Sequence, residues 1–376
     1  MKMFLYHIHN KICNHSSNEV QEIVDYALKH SFEAIYFCEH CPLPGTQSSH
    51  YKYSRVKYSQ LFTYKKEIND LSKKHKQKIK LYLGYETECS QENRYYFEKL
   101  ARDPICEFMI CGNHFYNNVL KEEPLIYTCY DTKTKDQLKQ YWINLEAALE
   151  SRTYSWIAHP EIFLNSYQKW DNTVDELCKK IIASAIKYDI PLGFNINYTQ
   201  PKSVWHYPVE KFWKMVANSP VKVIIENDSH DISTIQQEWV EQNYALAYKW
   251  GLEKNIIKKP QVKFFDKKPQ VIFIQNNLYH LLSPSLRDEL NKNKCQVVTY
   301  QQKKVSYFID YLKQHNIHPV WSIVVSNDQK LCNELNQQTS CYIVNKSNYD
   351  LPLETFSKIK NWKQLLLFFE QIKEQI

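Results

Sequence analysis

The sequence predicts an α/β protein, a distorted (β/α)7 barrel followed by a smaller Rossmann-like α/β domain. Three observations carry that reading. Strand-length apolar runs alternate with helix-period segments over the first 250 residues, as in a parallel sheet with helical crossovers. Seven such units in that length favour a closed barrel over an open sheet. A Lys- and Pro-punctuated stretch then breaks the pattern before four further strand-like runs. The expected division is a barrel over 1–251, a linker over 252–269 and a small α/β domain over 270–376.

Taken in order, the barrel strands are expected at 3–9, 34–38, 80–84, 107–111, 155–159, 191–196 and 221–226. The first helix is announced by Ser16-Ser17-Asn18-Glu19, which fits a capping box, and by the apolar stripe Val20, Ile23, Val24, Ala27 and Leu28. Comparable stripes run through 56–74, 136–149, 174–188 and 232–249. In the interruption, Lys-Lys-Pro-Gln-Val occurs at both 258–262 and 267–271, and 262–265 is a candidate edge strand. The later strands are expected at 271–274, 296–300, 321–325 and 341–344.

Composition narrows the function. Hydrophobic residues at 43% and charged residues at 24% describe a globular chain, and no apolar run is long enough to span a bilayer. The start, Met1-Lys2-Met3-Phe4-Leu5-Tyr6-His7, turns polar too soon for a signal peptide, so a cytoplasmic location without a membrane partner is expected. A net charge of +7 without a block of like charges does not call for a polynucleotide partner. Eleven cysteines, with one CxxC at Cys38 and Cys41, give neither a disulfide framework nor a zinc ribbon, and reduced thiols are expected. Average usage would give about 26 glycines in such a length. This chain has five, and Gly84, Gly112 and Gly193 each stand two residues before a polar residue: Glu86, His114 and Asn195.

The histidines supply the chemistry. His7-Ile8-His9 alone is weak evidence, but residues i and i+2 of a strand project to one side, so both rings leave the first strand together. The other strands end comparably: His40 after the second, Glu86 after the third, His114 after the fourth, His159 after the fifth, Asp228 and His230 after the seventh. In a parallel barrel these ends share one face, where catalytic residues collect. His15, in the loop leaving the first strand, makes nine candidates. Imidazoles with a few carboxylates suit Zn, Mn or Fe, and nine ligands imply two or three divalent ions. Glu86 or Asp228 could bridge two of them, a site suited to phosphate-ester hydrolysis.

This ordered set resembles the PHP (polymerase and histidinol phosphatase) superfamily, close to its histidinol-phosphatase-like members, over residues 1 to about 250. The resemblance implies one ion on His7, His9, Glu86 and Asp228, a second on Glu86, His114 and His159, and a third on His15, His40 and His230. It implies hydrolysis of a small phosphomonoester by a hydroxide bridging the ions, with Glu86, Asp228 and His230 carrying catalysis. Asn195, Asn197 and Lys202 fall where the family lines its substrate pocket. Leu5, Cys13 and Asn195 depart from the usual Asp, Ser and Glu, which touches the substrate rather than the ligand set. A PHP-type nuclease is the alternative, for which Tyr51, Tyr53, Arg55 and Lys57 would form a basic-aromatic lip; a non-catalytic metal-binding scaffold is another. The C-terminal region resembles a degenerate haloacid-dehalogenase-type domain. It has Gln275 and Asn276 after its first strand in place of a nucleophilic Asp, and is a candidate for packing, ligand sensing or oligomer contacts.

Overall fold

The structure is a computed structural model and describes residues 3–43, 54–103, 105–120, 125–196, 206–257, 268–345, 351–362 and 364–365. It divides into two compact units, residues 1–94 with 105–264, and residues 95–104 with 265–376.

The first unit is built on seven parallel strands in sequential order: β1 (Phe4–Ile8), β2 (Ala34–His40), β3 (Lys80–Thr87), β4 (Phe108–Cys111), β5 (Trp156–Ile157), β6 (Leu192–Asn195) and β7 (Val223–Glu226). The sheet comes close to closing on itself. Asn227 donates its N–H to the Tyr6 carbonyl at 2.9 Å, Ser229 to His7 at 3.1 Å, and His9 to Ser229 at 2.9 Å. Sequential order and this β7-to-β1 seam make the expected (β/α)7 barrel.

Strand alternation decides what faces the centre. Phe4, Tyr6, Ala34, Tyr36, Cys38, Phe108, Ile110, Trp156 and Ala158 belong to one buried cluster. Its rings stack in series, Tyr6 on Tyr36 at 4.6 Å, Tyr36 on Tyr82 at 4.7 Å and Phe108 on Trp156 at 5.5 Å. His40 continues the phase of Tyr36 and Cys38, and Glu86 that of Tyr82. Both lie inside strands that run further than expected, paired in register with each other, because those strand ends are buried and stay hydrogen-bonded. In β1 the register shifts between Leu5 and Ile8, and His7 sits at φ 60°. That irregularity brings His7, out of phase with Phe4 and Tyr6, to the same mouth.

Two expectations about the first unit need correction. The first helix, Val20–Lys29, is capped by Glu19 with Glu22 and not by Ser16. Ser16 instead donates its hydroxyl to the His9 and His230 carbonyls, pinning the loop to the β7 end. Residues 252–257, read as the start of a linker, pack on the barrel. Val223 exchanges backbone hydrogen bonds with Asn255 and Ile257, and the Asn255 side chain caps the carbonyls of Val216, Ser219 and Val221. The remainder of that stretch, 258–267, lies outside the described residues.

The second unit carries a parallel sheet in the order β12 (Leu351–Pro352), β11 (Tyr342–Asn345), β10 (Ser322–Val325), β8 (Val271–Gln275) and β9 (Gln296–Tyr300). Buried apolar clusters cover both faces. Residues 95–104, assigned from sequence to the barrel, belong here. Within this unit Arg102 stacks 4.0 Å over the Tyr342 ring and donates to the Ser322 carbonyl. At the position without a nucleophilic Asp, the Gln275 Oε1 accepts from the Ser326 hydroxyl and the Asn327 N–H, both at 3.0 Å.

Candidate metal centre

Glu86 is the pivot. Its Oε2 lies 3.2 Å from His7 Nε2, 3.4 Å from His9 Nε2 and 3.1 Å from His40 Nδ1, while Oε1 lies 3.3 Å from His114 Nε2 and 3.2 Å from His159 Nε2. Asp228 Oδ1 stands 3.7 Å from His7 Nε2, 3.5 Å from His9 Nε2 and 3.7 Å from His230 Nδ1. His15 joins through its ring, 4.4 Å from that of His230 and 5.1 Å from that of His40. All nine sequence-predicted ligands therefore meet at one mouth of the barrel.

The donors have the character of ligands. The Nε2 atoms of His7, His9 and His230, Nδ1 of His40 and Oε2 of Glu86 are buried without a hydrogen-bond partner, although several face each other at ion-pair distance. Leaving so many polar atoms unsatisfied is costly unless a cation collects them. Donor atoms of His7, His9 and Asp228, of Glu86, His114 and His159, and of His9, His40 and His230 each lie within 4.8 Å of one another. The first trio is three of the four residues the resemblance implies for one ion, without Glu86, and the second trio is the set it implies for another. In the third, His9 stands where His15 was expected.

A second layer of carboxylates lies behind the imidazoles. Glu226 Oε2 faces His7 Nδ1 at 3.2 Å, Glu88 Oε1 faces His114 Nδ1 at 2.9 Å, and Glu39 Oε2 lies 3.9 Å from His9 Nδ1. His15 Nδ1 lies 3.1 Å from the Cys13 carbonyl, which can only accept, so that nitrogen carries the proton and Nε2 is left free. Such partners fix ring orientation and tautomer around a metal.

The charges push on one another. Burial alone would raise Glu86, but His7, His114 and His40 outweigh it and hold the carboxyl well below the usual range. Asp228 is lowered likewise, by His7, His9 and His230 against its burial. His7 moves up to about 10 because Glu86 and Asp228 overcome the effect of burial. Burial and the neighbouring His9 bring His15 down to about 4, and His40 and His230 also fall well below the ordinary value, in each case with burial the largest cause.

Backbone and space are shaped to the same end. His7, Asn113, His159 and Asp228 adopt positive φ of 60°, 47°, 30° and 47°. Each such non-glycine residue costs roughly 1–3 kcal/mol, and such strain concentrates at functional sites. A Cβ on Gly112 would stand 2.5 Å from Glu86 Oε1 and closer to the His114 ring; one on Gly193 would run into the Glu226 carboxylate. These two glycines are required by close approach.

A cleft of about 370 Å³ is lined by the candidate ligands His15, His40, His114, His159, Asp228 and His230 together with Phe115, Tyr127, Tyr130, Ile162 and Tyr207. Neither Lys nor Arg is among its described lining residues.

The predicted substrate residues fare differently. Asn195 is buried and donates its Nδ2 to Asp228 Oδ2 at 3.0 Å, behind a ligand and outside the cleft lining. Asn197 and Lys202 lie outside the described residues, as do Tyr51 and Tyr53. Arg55, expected on a basic lip, is 2% exposed and pairs with Glu88. Missed altogether were Glu39, Glu88 and Glu226. Alternation could have found Glu88, two residues past Glu86, and Glu226, the last residue of β7.

Fold and donor set together define a parallel barrel built around a metal-binding cluster. The PHP domain family matches residues 6–196, just over half of the chain, and the chain belongs to that family. A histidinol-phosphatase of Bacillus subtilis (strain 168) is 35% identical over 85 residues, 22% of this chain; the match spans about a third, 32%, of that relative's length. A structure from Listeria monocytogenes assigned as a histidinol phosphatase superposes with a TM-score of 0.51 at 18% identity, over 63% of this chain and 99% of the other. The histidinol phosphate phosphatase of Lactococcus lactis, complexed with zinc, L-histidinol and phosphate, gives 0.51 at 18% over 66% and 94%. These two likenesses show the fold.

Proposed function

We propose that this chain is a metal-dependent phosphoesterase that hydrolyses a small phosphomonoester, histidinol phosphate or a compound like it. The observation that carries the reading is Glu86, whose two oxygens each face a separate group of buried imidazoles. The residues that would hold ions are His7, His9, Glu86 and Asp228; Glu86, His114 and His159; and His15, His40 and His230, with His9 beside them. Divalent Zn, Mn or Fe held there supplies activation of water near neutral pH and neutralisation of phosphate charge.

The chain's own residues do the rest. Glu86 ties the groups of imidazoles together, Asp228 is held in place by Asn195, and Glu226 and Glu88 fix the rings of His7 and His114. Phe115, Tyr127, Tyr130, Ile162 and Tyr207 give the cleft an apolar, largely aromatic wall that fits an organic leaving group. The B. subtilis relative and the L. lactis neighbour support histidinol phosphate as the first substrate to try.

The test is elemental analysis of protein purified without chelator, with turnover of p-nitrophenyl phosphate, histidinol phosphate, bis(p-nitrophenyl) phosphate and single-stranded DNA. Two or three ions per chain and turnover confined to the monoesters are expected. Turnover confined to the diester or the DNA would overturn the reading, as would bound metal without hydrolysis of any of the four.

A further inference from the structure

Arg55, placed by the sequence on a basic-aromatic lip, is instead a cation buried at 2% exposure beside a cluster already rich in basic groups. It is not among the described residues that line the cleft, where its neighbour Ser54 stands. Its guanidinium faces inward in two directions. Nη2 donates to Glu88 Oε1 at 2.7 Å. That oxygen lies 2.9 Å from His114 Nδ1, and the other Glu88 oxygen accepts the His114 backbone N–H at 2.8 Å. Nη1 donates to the Cys41 carbonyl at 3.2 Å, next to His40, and the N–H of Cys41 bonds to the Glu86 carbonyl at 3.0 Å. The following residue, Val56, donates its N–H to the His40 carbonyl at 3.3 Å.

We propose that Arg55 is a positioning residue of the metal centre: it fixes Glu88 behind His114 and braces the turn after His40, so that both rings are held facing Glu86. This inference rests on the metal-centre reading above. The geometry needs a fork. One nitrogen serves a carboxylate and a second serves a carbonyl in another direction; a lysine ammonium has three protons but would have to reach both acceptors from a single nitrogen. Loss of a partner behind a metal-bound histidine typically costs about 10–100-fold in metal affinity or activity.

The test uses the full chain with R55K, R55M and E88Q. Zinc affinity is read by chelator competition, geometry by the visible absorption of the cobalt-substituted protein, and folding by circular dichroism and thermal melting. R55M and E88Q are expected to weaken zinc binding about 10–100-fold and to alter the cobalt bands, with R55K between them and the wild type. Wild-type affinity and an unchanged cobalt spectrum in both R55K and E88Q would overturn the proposal, even if R55M failed to fold. A wild-type chain that binds neither zinc nor cobalt would instead overturn the metal centre itself, and Arg55's role with it.

Discussion

Replacing Gly112 with Ala tests the closeness of the cluster directly. The added Cβ would stand 2.5 Å from Glu86 Oε1 and 2.7 Å from His114 Nδ1. Comfortable non-bonded separations are about 3.5 Å, so the His114 ring or the Glu86 carboxylate has to move by about 1 Å. Neither has a free direction, because His114 is tied at Nδ1 and at its backbone N–H to Glu88, and Glu86 is enclosed by five imidazoles. Overpacking of this kind costs typically about 1–3 kcal/mol of stability. A misplacement of about 1 Å at a reacting centre costs about 100-fold in rate. Gly251→Ala is the control: its φ of 88° makes any side chain strained, but the Cβ would meet only Ala217, at an ordinary 3.5 Å. Metal content, p-nitrophenyl phosphate turnover and melting temperature should separate the two. Both variants should melt earlier, and only G112A should lose turnover and part of its metal. Wild-type metal content and turnover in G112A would refute the packing argument.

Three further outcomes follow from the same geometry. Stripping metal with a chelator should lower the melting temperature and adding zinc should restore it, since a ligand at a thousand times its Kd adds about 4 kcal/mol to the folded state; an unchanged melt would count against the centre. Glu226→Gln should weaken zinc binding about 10–100-fold by chelator competition, because an amide cannot accept from Trp156, His7 and the His159 N–H all at once; wild-type affinity would contradict this. Glu161 is carried by burial from the ordinary 4.5 to about 8, against the pull of the Trp213 indole N–H. Its folded form keeps a proton that the unfolded chain has released, so stability falls as pH rises from about 4.5 to about 8. Melting curves should therefore show Glu161→Gln gaining on the wild type over that window, on the order of a few kcal/mol at most, and a parallel decline of both proteins would refute the assignment.

The barrel and the gathering of the nine candidate ligands at its mouth were legible because eight of them sit within four residues of a strand end, where a local pattern marks the position, with His15 in the loop after β1. Of the layer behind them, Glu88 and Glu226 lie in phase with strand positions and could have been found, whereas Glu39 carries no local mark and is tied to His9 and Asn10 only in the folded chain. Asn195 illustrates the same limit. Its place two residues after Gly193 was visible, but not that it turns toward Asp228 instead of the cleft. Ser16 is not the helix cap because the helix begins later, at Val20 after Glu19, and the Ser16 hydroxyl donates to the His9 and His230 carbonyls instead. Residues 95–104 could not be allotted from sequence, since Arg102 stacks on Tyr342 only once the second sheet exists.

Trp156 connects the apolar floor of the barrel to the chemistry above it. One face of its indole stacks on Phe108, its edge meets Tyr6 at 5.9 Å, and its N–H reaches Glu226 Oε2 at 2.7 Å. Glu226 in turn accepts the backbone N–H of His159 and faces the ring of His7, both of which hold positive φ. A strained residue persists only where its surroundings over-determine it. Here the determination runs from stacked rings through one indole to one carboxylate and on to two ligands. The floor is therefore more than filler: a change that shifts Trp156 should loosen His7 and His159 together, while the other walls of the centre keep their own supports.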